Sequence, residues 1–226
     1  MSDIRYGVYY LPPEGSPMAV FGATWLGWDV ASGTAVPHPQ TGLDLEAITS
    51  TPRKYGFHGT LKPPFRLSEG TDLAGLRAAL GELATRHRPF QAATLELARL
   101  GSFLALVPSA ACPALADLAG DCVQSLDRFR APASQAELAR RQAAGLDARQ
   151  RELLERWGYP YVLDAFRFHL TLSGRLDETT ATVTEEVLRE ITAGITQAPM
   201  PVQEICLVQQ VDNAPFKLLH RYPLTG

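Results

Sequence analysis

Hydrophobic residues recur with two different periods along the chain, and the two periods predict strands and helices. Ile4–Leu11 is rich in β-branched and aromatic residues and ends at Pro12-Pro13, which predicts a first strand. Leucines at positions 73, 76, 80 and 83 have helical spacing and predict a helix over Thr71–His87. Similar patterns predict helices at Ser16–Gly27, Asp44–Ile48, Pro113–Phe129, Ser134–Trp157 (interrupted near Gly145-Leu146) and Glu178–Ile195, and strands at Thr94–Leu100, Phe103–Val107, Ala165–Gly174, Val202–Val211 and Lys217–Tyr222.

The order of these elements repeats. In each half of the chain, a strand that carries the tetrapeptide H-x-T-L leads to a helix and then to a β-hairpin. Such a duplication of βαββ units predicts an α+β fold with two pseudo-symmetric lobes. We therefore expect one bilobal domain over residues 1–226. Its repeats cover approximately residues 52–107 and 163–226, and an Arg-rich helical insertion covers approximately residues 130–158.

Each H-x-T-L strand is predicted to have one apolar and one polar face, because side chains alternate with period two. The polar face offers a histidine, a hydroxyl group two residues further on, and cationic neighbours. That composition suits an anion. The polar faces carry Lys54, Gly56, His58, Thr60 and Lys62 in the first strand, and Arg167, His169, Thr171 and Ser173 in the second.

Cleavage of a phosphodiester explains these residue types. A base must take a proton from the attacking water or hydroxyl, and an acid must protonate the leaving oxygen. Histidine performs either role near neutral pH, so His58 and His169 are the candidate catalytic pair. Which of them is the base stays open, because the two motifs are alike. The candidate phosphate-binding residues are Thr60, Thr171, Lys62, Arg167, Lys54 and Arg130, the last at the end of a predicted helix.

The paired motifs His58-Gly59-Thr60-Leu61 and His169-Leu170-Thr171-Leu172 resemble the signature of the two-histidine (2H) phosphoesterase superfamily. That superfamily includes 2′,3′-cyclic nucleotide phosphodiesterases and bacterial RNA 2′,5′-ligase-like proteins. The longer strings YGFHGTLKPPFRL, RFRAP, RWGYPY and FRFHLTLSGRL are similar to the branch encoded beside bacterial phosphonate-degradation genes. The resemblance implies two lobes, each an antiparallel β-sheet with flanking helices, whose histidines face each other across a central cleft. It also implies metal-independent hydrolysis of a small cyclic phosphodiester, with a sugar cyclic phosphate as a plausible substrate.

Composition and charge narrow the expected partners. Of the 226 residues, 46% are hydrophobic, which excludes a disordered chain. Lysine and arginine total 21 against 24 acidic residues, giving a net charge of −3 that argues against binding to long nucleic acid or to a membrane. The expected partner is a small phosphate ester. No cofactor or metal is expected, because the sequence lacks HExxH, H-x-H-x-D, P-loop and Rossmann signatures.

The remaining sequence features favour a cytoplasmic protein. The first residues lack the apolar centre of a signal peptide, and the apolar run Met18–Trp28 is too short to span a membrane. Cys112, Cys122 and Cys206 form neither a disulfide framework nor a zinc motif. Two alternative functions stay open: a non-catalytic nucleotide- or metabolite-binding module, and an RNA 2′,5′-ligase-like phosphodiesterase acting on RNA ends. The sequence also leaves open the oligomeric state and whether the Arg-rich insertion closes as a lid.

Overall fold

A computed structural model of the chain describes residues 2–142 and 145–226. It contains both helices and strands, with short 3₁₀ turns at Asp127–Phe129 and Leu163–Ala165. The helices are α1 (Pro17–Leu26), α2 (Leu45–Arg53), α3 (Leu73–Ala84), α4 (Pro113–Ser125), α5 (Gln135–Gln142), α6 (Ala148–Trp157) and α7 (Glu178–Thr192). The strands are β1 (Ile4–Tyr10), β2 (Trp28–Asp29), β3 (Thr34–Ala35), β4 (Gly59–Phe65), β5 (Phe90–Ala92), β6 (Leu95–Leu100), β7 (Phe103–Pro108), β8 (Leu170–Thr171), β9 (Met200–Val202), β10 (Glu204–Val211) and β11 (Lys217–Pro223).

Seven of these strands form one antiparallel sheet in the order β11-β10-β1-β4-β8-β7-β6. The strands that follow the two histidines, β4 and β8, are neighbours at its centre and pair through Gly59 and Leu170. The predicted α+β class with antiparallel sheets is confirmed. The two lobes are the two wings of a single sheet, with β11, β10, β1 and β4 in one wing and β8, β7 and β6 in the other. Two further pairs, β2-β3 and β5-β9, form small separate sheets.

The two repeats are interlocked within this sheet. The hairpin β6–β7 of the first repeat lies beside β8 of the second, with Ala105 opposite Thr171 and Leu106 opposite Leu170. The hairpin β10–β11 of the second repeat lies on the side of β4, joined to it through β1. Strand β8 is therefore bordered on both sides by strands of the first repeat, and the halves of the chain meet at the two histidine motifs.

Local sequence signals place both ends of α1 where they were predicted. Ser16 precedes α1, and its hydroxyl accepts a hydrogen bond from the Ala19 amide at 3.2 Å. Pro17 occupies the first helical position, and Gly27 ends the helix with a φ of 73°. The predicted helical stretch Ser134–Trp157 is two helices, α5 and α6, on either side of Gly145-Leu146.

The predicted strand around the first histidine is shorter than expected. Helix α2 continues to Arg53, beyond its predicted end, and the chain then turns at Gly56, whose φ is 72°. A β-carbon at Gly56 would lie 2.5 Å from Cβ of Val30, so both the backbone angle and the packing require glycine there. Strand β4 begins only at Gly59, and β8 has two residues in place of the predicted Ala165–Gly174.

The main core covers one face of the sheet, where α3, α4 and α7 contact its strands. Phe168, Leu170 and Leu172 alternate into this core, as the period-two pattern predicts. Their neighbours His169 and Thr171 lie on the opposite face. A smaller cluster around Tyr9, Val208 and Phe216 packs separately from the main core. Within the described residues, every helix is too short or too polar to cross a bilayer.

Replacement of Gly59 by alanine tests the packing at the centre of the sheet. A β-carbon at Gly59 would lie 2.2 Å from Cε2 of Phe168, so the ring must move. We expect Gly59→Ala to reduce the free energy of unfolding by about 1–3 kcal/mol in urea titrations.

The matched control is Gly81→Ala. Gly81 lies inside α3, and a β-carbon there would meet nothing within 4 Å. Alanine has the higher helix propensity, so this variant should gain about 0.5–1 kcal/mol. A Gly59→Ala protein as stable as the wild type would contradict the packing that we describe.

Candidate functional site

The pairing of Gly59 with Leu170 brings the two histidine motifs together. Extended by one residue in each direction, this antiparallel register sets His58 opposite Thr171 and Thr60 opposite His169. These four side chains share the face opposite the main core. The two histidines then occupy diagonal positions, for which separations of roughly 7–8 Å are typical, with somewhat shorter distances between the β-carbons. The sequence motifs predicted the four residues, and the sheet register places them side by side.

Both imidazoles are held by the same hydrogen bond. Nδ1 of His58 lies 2.8 Å from the carbonyl oxygen of Gly56, and Nδ1 of His169 lies 2.9 Å from that of Arg167. A carbonyl oxygen only accepts, so each Nδ1 carries the proton and donates it. In the neutral ring, the lone pair is then on Nε2. For His58 this atom lies 3.0 Å from Oγ1 of Thr60, whose hydroxyl can donate to it.

The environment of His58 favours its neutral form. Burial lowers the pKa of His58 to about 4; the Gly56 carbonyl opposes this shift, and the nearby His169 adds to it. The ring also stacks on Tyr9, with centroids 3.8 Å apart and planes 23° from parallel. His58 is therefore uncharged at neutral pH, and its orientation is fixed on three sides by Gly56, Thr60 and Tyr9.

A cavity of about 230 Å³ opens at this face and has His58 and Thr171 in its wall. Tyr55 and Phe103 supply aromatic surface to the same cavity. The Tyr55 ring lies 6.2 Å from the His58 ring, and the Phe103 ring lies 5.8 Å from the His169 ring, both measured between centroids. The cavity thus combines a neutral imidazole, a hydroxyl group and apolar walls.

In the structure, the side chain of Lys62 does not lie on the polar face of β4. Tyr9 pairs with Thr60 but the next residue back, Val8, pairs with Lys62, so β4 contains an extra residue at this point. This bulge turns Lys62 toward α4, where its ammonium group donates to the carbonyl oxygen of Val123 at 2.9 Å. Burial lowers the pKa of Lys62 to about 8. The prediction that Lys62 continues the polar face was wrong, because regular alternation was assumed through a bulge.

The guanidinium of Arg130 donates hydrogen bonds to other groups of the protein, and Arg130 does not line the cavity. Its Nε donates to Asp127 at 2.7 Å, and Nη2 donates to the carbonyl oxygen of Arg156 at 3.1 Å. These bonds tie the turn after α4 to the end of α6. A β-carbon at Gly158 would lie 2.8 Å from Nη1 of Arg130, so this contact also depends on glycine. The structure therefore places Arg130 among protein partners and not in the wall of the cavity that contains His58 and Thr171, where the prediction had it contact phosphate.

Arg167 and Lys54 also differ from their predicted placement. The exposed guanidinium of Arg167 donates to the carbonyl oxygen of Phe166 at 2.7 Å, and it is the backbone carbonyl of Arg167 that contacts His169. Lys54 follows the last turn of α2 and is outside any strand. Its exposed ammonium lies 5.1 Å from the centroid of Tyr55. Neither cation lies in the cavity wall.

The site also contains residues that were not among the predicted ones: Tyr9, Tyr55, Phe103 and Arg175. Tyr9 contacts His58 because β1 is the neighbour of β4, a pairing that the local sequence does not encode. Arg175 lines the cavity, and a signal for it was present: it continues the alternation of His169, Thr171 and Ser173. Across residues 2–142 and 145–226, no group of three or more His, Cys, Asp and Glu side chains is arranged to hold a metal ion.

Comparison with solved structures finds LigT of E. coli in its apo form. The alignment covers all of both chains, with 16% identity and a TM-score of 0.41.

Two curated relatives share the name ribose 1,5-bisphosphate phosphokinase PhnN. The protein of Janthinobacterium sp. (strain Marseille) is 34% identical over 234 aligned residues, which cover 100% of this chain and 52% of the relative. The protein of Laribacter hongkongensis (strain HLHK9) is 39% identical over 177 residues, which cover 77% of this chain and 41% of the relative. The chain thus spans about half the length of the curated relatives that it matches.

The model of one protein family, described as a protein of unknown function (DUF1045), matches residues 60–217. The matched segment extends from Thr60 in the first motif, through the whole second motif, to the first residue of β11. It covers well over half of the sequence. The chain therefore belongs to the DUF1045 family.

Proposed function

We propose that this protein hydrolyses a small cyclic phosphodiester without a metal ion, with His58 as the base and His169 as the acid. One observation carries the proposal. Two imidazoles from separate halves of the chain lie on one sheet face, each with Nδ1 fixed on the carbonyl two residues earlier and with a threonine opposite it. Acid–base cleavage of a phosphodiester needs one group that accepts a proton and one that donates a proton, and each ring keeps Nε2 for this role because a carbonyl holds its Nδ1.

In the proposed reaction, Nε2 of His58 takes a proton from a water molecule while the water oxygen bonds to phosphorus. The bond from phosphorus to one sugar oxygen breaks, and Nε2 of protonated His169 donates a proton to that oxygen. The product is an acyclic phosphate monoester. The hydroxyls of Thr60 and Thr171 hydrogen-bond the non-bridging oxygens, where negative charge accumulates in the transition state. Proton exchange with solvent then restores both histidines.

The two environments support this assignment of roles. His58 is half-buried against Tyr9 and is neutral at pH 7, so its Nε2 lone pair can accept a proton. His169 is half-buried, and its hydrogen bond to the Arg167 carbonyl lies at an exposed position, so solvent can return a proton to this ring. Thr60 occupies Nε2 of His58 in the free protein, and a water or substrate oxygen replaces that contact in the complex.

The dimensions of the cavity support a small substrate. About 230 Å³ accommodates a sugar phosphate better than an oligonucleotide, and the net charge of −3 offers little attraction to RNA. The two curated relatives are named for a ribose that carries two phosphates, which favours a sugar phosphate as the substrate class. Transfer of phosphate from ATP is not part of the proposal, because the sequence contains no Walker A motif.

Substitution of either histidine by glutamine tests the proposal. Turnover of ribosyl 1,2- or nucleoside 2′,3′-cyclic phosphates, followed by ³¹P NMR in the presence of a chelator, should fall roughly 10²- to 10⁴-fold in His58→Gln and in His169→Gln. His220→Gln is the matched control, since His220 is exposed on β11 and distant in sequence from both motifs.

Retention of wild-type rates by both single variants would refute paired-histidine catalysis. Tight binding of these esters by the wild type without any product would instead support a non-catalytic binding module. Salt-sensitive binding of RNA oligomers would support a phosphodiesterase that acts on RNA ends.

The pH dependence of catalysis tests the role of His58. A base must be deprotonated to act, and the pKa of His58 is lowered to about 4, so kcat/KM should decline on the acidic side only as the pH approaches 4. An unperturbed histidine base would give that decline near pH 6.5. An acidic limb centred at pH 6.5 in the wild type would show that His58 is not the base.

A further inference from the structure

We infer that Arg175 is the residue that binds the substrate phosphate with its positive charge, the role that the sequence motifs suggested for Lys62, Arg167, Arg130 and Lys54. The inference rests on the proposed function, since it identifies a further residue for the same site. Arg175 lies in the cavity wall together with His58 and Thr171. Among the described residues that line this cavity, it is the one arginine or lysine.

The backbone around Arg175 is firmly held beside the cavity. The hydroxyl of Ser173 accepts a hydrogen bond from the Leu104 amide on β7 and donates to the carbonyl oxygen of Gly174, both at 2.9 Å. The Gly174 amide donates to the carbonyl oxygen of Ile48 on α2 at 2.8 Å. A β-carbon at Gly174 would lie 3.3 Å from Oγ1 of Thr51, so the chain runs close against α2. These contacts fix the position from which the Arg175 side chain extends.

The charge of Arg175 is not neutralised by the protein. Within the part of the chain that the structure describes, its guanidinium makes no hydrogen bond and no ion pair, and the residue is exposed. The carboxylates that follow it have other partners. Asp177 accepts hydrogen bonds from the amide and hydroxyl of Thr180, and Glu178 pairs with Arg99 at 2.6 Å. The cation is therefore available to an anion in the cavity.

Arginine has the chemistry that this position requires. Its planar guanidinium matches two non-bridging phosphate oxygens at once and stays charged at every pH at which the histidines act. The two threonine hydroxyls supply hydrogen bonds but no charge. A guanidinium contact would stabilise the bound dianionic or monoanionic phosphate and the additional charge of the transition state.

The test compares the binding of inorganic phosphate by calorimetry in the wild type, Arg175→Met and Arg175→Lys. The methionine variant removes the charge and is expected to weaken phosphate binding roughly 10- to 100-fold. The lysine variant keeps the charge but loses the paired contact, so its affinity should lie between the other two. Arg77→Met is the matched control, because it removes the same charge from an exposed position on α3. Its phosphate affinity should equal that of the wild type.

The urea unfolding midpoint of Arg175→Met should match that of the wild type, since no protein contact is lost. Phosphate binding that is absent from the wild type, unchanged in Arg175→Met, or equally weakened in Arg77→Met would overturn the inference. The proposed function fails separately: a wild-type protein that binds phosphate through Arg175 but hydrolyses no cyclic phosphate would contradict catalysis and leave the assignment of Arg175 intact. For a cyclic phosphate that is hydrolysed, Arg175→Met should raise KM by a factor similar to its effect on phosphate affinity.

Discussion

The pairing of β4 with β8 at Gly59 and Leu170 is the contact on which the rest of the site depends. It joins the two wings of the sheet and sets each histidine beside the threonine of the other motif. Gly59 makes this pairing possible because its missing side chain leaves room for the ring of Phe168, whose nearest atom would lie 2.2 Å from an added β-carbon. The glycine of H-G-T-L is thus explained by packing on the core face, while the histidine and threonine lie on the other face.

The same local hydrogen bond orients both imidazoles. Each Nδ1 donates to the carbonyl of the residue two positions earlier, Gly56 in one motif and Arg167 in the other. The environments then diverge. Burial against Tyr9 keeps His58 neutral, whereas His169 stays closer to solvent, so two equivalent motifs acquire different chemistry. A repeated sequence therefore supplies matched geometry, and the surroundings supply the difference on which we base the proposed roles of base and acid.

Much of this arrangement was predictable, because period-two alternation and capping residues act locally. The cap of α1 at Ser16, the duplicated strand–helix–hairpin order and the polar faces around His58 and His169 follow from such signals. Lys62 was misplaced because a bulge in β4 depends on pairing with β1. The contact of Tyr9 with His58 depends on the same pairing between distant segments. Arg175 continues the period-two alternation of the second motif, but it lies beyond the end of the short strand β8. Outside a strand, that alternation no longer predicts which way a side chain points.

NMR of the histidine side-chain nitrogens tests most directly whether the two rings serve one anion. In the ¹⁵N-histidine protein, both His58 and His169 should show a protonated Nδ1, and titration with inorganic phosphate should shift both Nε2 resonances along curves with one shared dissociation constant. The resonances of His220 should stay unchanged. A shift confined to one of the two rings, or two different dissociation constants, would contradict a single site built from both halves of the chain.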